Sequence, residues 1–138
     1  MISLLYISTK STSITEQDIS MIVESSSVNN AELEITGVLL EYNNCFLQYL
    51  EGPEYNVLRL YDTIKRDNRH SNIQLIQNKD IQERIFSDWS MILKDFSDLS
   101  EETQGNGVVY SKKEFRNYVD NNEFWNKVDM VEYLSNLI

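Results

Sequence analysis

Residues 33–53, LEITGVLLEYNNCFLQYLEGP, leave this chain few choices of fold. Two apolar runs rich in β-formers flank Asn43-Asn44, and asparagine tolerates the positive φ of a tight turn, so the segment predicts an antiparallel hairpin. Side chains alternate along the returning strand, putting Phe46, Gln48 and Leu50 on one face and Leu47, Tyr49 and Glu51 on the other. Gln48 therefore falls between two apolar residues on a face that should be covered. A buried amide without partners costs about 1–3 kcal/mol, so Gln48 needs one.

The cover comes from what flanks the hairpin. Before it, ISLLYIS (residues 2–8) reads as a strand with Leu4, Tyr6 and Ser8 on one face. Thr15 and Asp18 have capping-box spacing, and Ile19, Ile22, Val23 and Ser26 form one helical stripe. After it, Pro53 suits a helix's first turn, and Val57, Leu60, Tyr61 and Ile64 follow at i, i+3, i+4 and i+7. SNIQLIQNKDI and SDWSMILKDF read as two further strands, with Trp89 and Met91 two apart on one face of the last. The order β-α-β-β-α-β-β is α+β and ferredoxin-like, with two helices on one face of an antiparallel sheet. That topology makes the first and third strands central neighbours, aiming Tyr6, Gln48 and the helix-terminal Asn29 and Asn30 at one place.

The pattern changes after Phe96, which divides the chain into domains 1–95 and 96–138. SDLSEETQGNG reads as a polar linker with one short helix. Beyond it, Phe115, Tyr118, Val119, Phe124, Val128, Val131 and Leu134 recur at helical spacing. So short a helical segment is expected to have no core of its own, and to dock on the sheet's other face or on a second subunit. A dimer is the default for such a contact, with larger rings if it is head-to-tail.

Charge and motifs narrow the function. Twelve basic against twenty-two acidic residues give a formal charge of −10, which argues against binding nucleic acid; KRDNRH (65–70) is too short a basic patch to reverse that. No apolar run reaches the ~18 residues of a membrane span and no secretion signal opens the chain, so a cytoplasmic location off the membrane is expected. One cysteine, Cys45, offers neither disulfide nor metal framework. Nucleophile-elbow, Walker and zincin motifs are absent. An acylphosphatase-like hydrolase would share the fold but needs an anion-binding first loop and a positioned arginine, and STKSTS supplies neither. It stands as the enzyme alternative, and a flavin-free ferredoxin-like docking module as the interaction alternative.

Taken singly, Tyr6, Trp89 and Met91 are ordinary core residues, Asn29 and Asn30 ordinary helix ends, and His70 a solvated turn residue. Taken in order, LLYIS, VNNAELEITGVLL, FLQYLEGP, IKRDNRHSN and FSDWSMIL resemble the BLUF domains, blue-light sensors that use flavin adenine dinucleotide, over residues 2–93. The resemblance implies a non-enzymatic photoreceptor holding FAD noncovalently, with FMN or riboflavin accepted because the pocket mainly reads the ring. It implies that Gln48 meets N5 and O4 of the isoalloxazine and the hydroxyl of Tyr6. Asn30 pairs with the N3 and O2 edge, Asn29 lies near the ring, and Ile22 covers a face. Arg69, with Lys65, Asp67 and His70, lies near the outer edge or the ribityl and phosphate tail. Tyr6, Gln48, Trp89 and Met91 form the photoactive set, and the signal passes to a protein partner or a change in assembly. The Asn43-Asn44 turn departs from the glycine that family members often place there.

Overall fold

A central strand, β1 (Ile2–Lys10), has β3 (Cys45–Gly52) on one side and β4 (His70–Asp80) on the other, with β2 (Thr36–Tyr42) and β5 (Ile92–Asp95) beyond β3. This five-stranded sheet carries α1 (Glu16–Glu32) and α2 (Glu54–Lys65) in the expected order. The computed structural model describes residues 1–105, 107–124 and 129–138. It divides into two units, Met1–Lys94 and Asp95–Ile138.

Local signals account for most boundaries in the first unit. The capping box forms: Thr15 Oγ1 accepts from the Asp18 amide at 3.1 Å, and the Thr15 amide donates to the Asp18 carboxylate at 3.0 Å. The strand expected from Leu33 begins only at Thr36, because Leu33 caps α1 and Glu34 turns the chain left-handed at φ 57°. Asn43, at φ 52°, closes the β2–β3 hairpin with Tyr42 opposite Cys45. Pro53 stands one residue ahead of α2, its carbonyl accepting from the Val57 amide at 3.0 Å. Val57 and Tyr61 of α2 and Ile19 of α1 join Leu4, Leu39, Phe46 and Leu50 in the core on one face of the sheet.

The last strand is a correction. β5 has four residues, and Trp89 and Met91 lie in the irregular connection before it rather than on it. They do not share a face. Met91 joins the core beside Gln48, whereas Trp89 stacks on Phe86, which packs edge-on against Tyr49 on the opposite face. Alternation fails there because side-chain bonds, rather than a strand ladder, hold the connection.

In the second unit, β6 (Glu102–Gly105) and β7 (Val108–Ser111) pair as a hairpin where the sequence suggested a linker. Four-residue strands, one of them largely polar, carry too little alternation to be seen. The two expected helices follow, α3 (Lys112–Asp120) capped by Ser111 and α4 (Met130–Leu137) capped by Asp129. Contrary to the expectation of no core, the unit has an aromatic cluster of its own. Phe96 stacks on Phe115 at 6.1 Å, and Tyr133 meets Tyr110 edge-on at 5.1 Å. The Tyr110 hydroxyl donates to Glu132, which pushes its pKa up to about 12. Val128 lies outside the described residues. Among the described residues no helix is long and apolar enough to cross a membrane.

Candidate functional site

The β1–β3 register sets Tyr6 directly opposite Gln48. Both are buried, at 3% and 7% exposure. The Tyr6 hydroxyl donates to Gln48 Oε1, and Gln48 Nε2 donates to Met91 Sδ at 3.6 Å. A thioether accepts but does not donate, so the amide nitrogen belongs on the Met91 side and the oxygen on the phenol side. The protein partners of the misplaced glutamine are thus a phenol and a sulfur.

Burial raises the Tyr6 pKa well above its ordinary 10.0, with Tyr61 and Asp67 adding to the effect, so the phenol stays neutral. Because the folded value lies above the unfolded one, this contribution to stability is complete below pH 10 and is lost as pH rises past it. One extra bound proton corresponds to about 1.4 kcal/mol per pH unit at full effect. Between pH 10 and 11 the unmodified chain should lose about 1 kcal/mol more than Tyr6→Phe. Urea titrations at the two pH values check this; equal losses would mean that the phenol ionises freely in the folded state.

Above this pair, between the sheet and the two helices, lies a cleft of about 240 Å³. Ile22, Leu39, Phe46, Leu60 and Ile64 make its apolar walls, and Tyr6, Gln48, Asn29, Asn30, Asp67, Arg69 and His70 bring polar groups to it. Asn30, 1% exposed, is held by a bond from Nδ2 to the Ser90 carbonyl at 3.1 Å. His70 is held at both ring nitrogens. Nε2 donates to the Ile64 carbonyl at 2.7 Å, and Nδ1 pairs with the Ser8 hydroxyl at 2.7 Å. Arg69 Nε bonds both Asp67 carboxylate oxygens, at 2.9 and 3.0 Å, and this pairing lowers the Asp67 pKa and raises that of Arg69.

Three expected residues do not line the cleft: Met91 reaches it only through its bond from Gln48, and Lys65 and Trp89 lie elsewhere. Lys65 lies over the Tyr61 ring at 4.8 Å and pairs with Asp62 at 3.2 Å. Trp89 is on the other side of the sheet. The lining also includes Leu39, Ser25, Ser26 and Thr63, which sequence reading did not assign to it. Leu39 was within reach: counting outward from the Asn43-Asn44 turn sets it opposite Gln48. The serines and Thr63 carry no such signal.

The family model for BLUF, sensors of blue-light using FAD, matches residues 1–92. The chain belongs to this family. Photoactivated adenylate cyclase subunit beta of Euglena gracilis is 37% identical over 90 residues, covering 64% of this chain and 10% of that protein. The chain thus spans about a tenth of the length of the curated relatives it matches. A solved bacterial light-regulated adenylyl cyclase superposes with a TM-score of 0.75 at 31% identity, over 92% of this chain and 36% of the other. BlrB, a BLUF protein in its dark state, superposes at 0.71 with 29% identity, over 97% of this chain and 91% of the other. This chain is therefore a BLUF blue-light sensor, and its family's cofactor is FAD.

Proposed function

We propose that the cleft is the flavin site and that Tyr6, Gln48 and Met91 are the switch. The continuous chain of bonds from phenol to amide to thioether, whose phenol and amide line the cleft, carries this reading. The residues fit the group: apolar walls suit the faces of a flat ring, and amides and a phenol suit its polar edge. Asn29, Asn30 and Gln48 would hold that edge, and Ile22 would cover a face. The cleft is small beside the roughly 300–1,000 Å³ of typical ligand sites, so it takes the ring and leaves the tail at the mouth, where Asp67, Arg69 and His70 stand. That favours FAD, FMN and riboflavin alike.

When bound, the flavin would supply the blue-light absorption and an excited state able to accept an electron. Tyr6 is an oxidisable group lining the cleft with a hydrogen-bonded proton, and Gln48 is where that proton can go. An amide offers a donor at one end and an acceptor at the other, so rotation or tautomerisation inverts the pattern it shows its neighbours. Met91, bonded to the amide nitrogen, receives the change first. From there the signal passes to a protein partner, with the 96–138 segment as a homo-oligomer contact, in a cytoplasmic setting.

Purified protein should be yellow, and blue light should shift its absorption reversibly to the red. A colourless protein that takes up no flavin on reconstitution would overturn the reading. Met91→Ala should keep the red shift and lose most of the light-dependent change in hydrogen exchange in β5 and beyond. A full response there would rule Met91 out as the exit.

A further inference from the structure

We infer that Glu51 is a positioning residue of the switch, anchoring the far end of the 84–91 segment that Gln48 holds at its near end. The inference rests on the switch assigned above to Gln48 and Met91. Glu51 follows Gln48 by three positions on β3, so its side chain projects to the opposite face of the sheet. It is 0% exposed. A carboxylate buried this deeply is costly unless its oxygens are bonded throughout. Here four donors converge on it: the Tyr49 hydroxyl at 2.9 Å, the Thr36 hydroxyl at 3.1 Å, and the consecutive amides of Ile85 and Phe86 at 2.9 and 2.7 Å. Two successive backbone amides on one side chain match an acceptor-only group, and glutamine would turn a donor toward part of that set.

The anchored segment then passes around the β2 edge. The Trp89 carbonyl accepts from the Gly37 amide at 2.9 Å, and two residues later Met91 reaches Gln48. One strand therefore grips both ends of one irregular segment, on opposite faces. If the Gln48 amide inverts, Met91 loses its donor, and the displacement travels along the segment only if its other end is held. The Arg84 guanidinium also ties this end, to the Thr36 hydroxyl and to the Glu51 and Glu34 carbonyls, so Glu51 is the part of the anchor that holds the backbone at Ile85 and Phe86.

The test is Glu51→Gln in the full flavin-loaded chain, with amide exchange followed in darkness and under blue light. In darkness the Ile85 and Phe86 amides should exchange at least tenfold faster than in the unmodified chain. Under light the red shift should keep its size while the light-induced exchange change across 84–91 falls by more than half. A merely structural glutamate would leave the second ratio unmoved. Dark exchange and light response both equal to the unmodified chain would overturn the proposal. If Glu51→Gln does not fold, Tyr49→Phe removes one donor and keeps the ring; a roughly threefold rise at the same two amides supports the anchor, and no rise overturns it. If the unmodified chain shows no red shift, the switch reading fails, whereas the dark arm still reads the anchor by itself.

Discussion

Gln48→Leu is expected to bind flavin and to show no light-induced red shift. Leucine keeps nearly the volume of the side chain and leaves the cleft's apolar walls untouched. What it removes is the acceptor of the Tyr6 hydroxyl and the donor to Met91. One or two lost bonds to the ring, each worth about 1 kcal/mol, weaken flavin binding by roughly 5–30-fold without abolishing it. The switch has no such reserve, because an aliphatic side chain has no donor and acceptor ends to exchange. The variant also strands the buried phenol, a cost of about 1–3 kcal/mol in stability. Tyr6→Phe approaches the same pair from the other side and should abolish the same shift. Flavin-loaded protein measured before and after blue illumination decides both, and a full red shift in either variant would remove the pair from the mechanism.

Gly37→Ala should be the most destabilising single methyl in the first unit. A Cβ at Gly37 would stand 2.0 Å from the Tyr49 carbonyl oxygen, 3.1 Å from the Tyr49 carbonyl carbon and 3.3 Å from Leu50 Cα. All three are backbone atoms of β3, so no side chain can turn away to make room. The β2–β3 pair must separate just where Gly37 sits opposite Leu50, one residue from Tyr49 and two from Gln48. Overpacking against backbone costs about 3 kcal/mol, the upper end of the usual range, which for a unit of this size lowers Tm by roughly 12 °C. Gly107→Ala is the contrast: its φ of 77° strains an alanine by about 1–2 kcal/mol, but nothing lies within 4 Å of the added carbon. Thermal unfolding followed by circular dichroism separates them, and an unchanged Tm in Gly37→Ala would contradict the close approach of the two strands.

Much of what depends on residues near one another in the chain was readable in advance: the Thr15–Asp18 capping box, the α2 stripe, the turn at Asn43 and the alternation through Gln48. The Tyr6–Gln48 encounter, 42 positions apart, was also readable, because a β-α-β-β-α-β order makes the first and third strands neighbours and alternation assigns the face. The flavin chemistry came from matched motifs, since periodicity says nothing about a ring. Tertiary structure alone decided the course of residues 81–91. That segment has no strand ladder to impose a period, so its backbone bonds go to distant groups: Ile85 and Phe86 to Glu51, Trp89 to Gly37, Ser90 to Asn30. Trp89 and Met91 part to opposite faces for that reason, although their spacing suggested one. The same holds for Lys65, which turns to Tyr61 and Asp62, and for the β6–β7 hairpin, whose four-residue strands are set by pairing with each other rather than by any pattern within them.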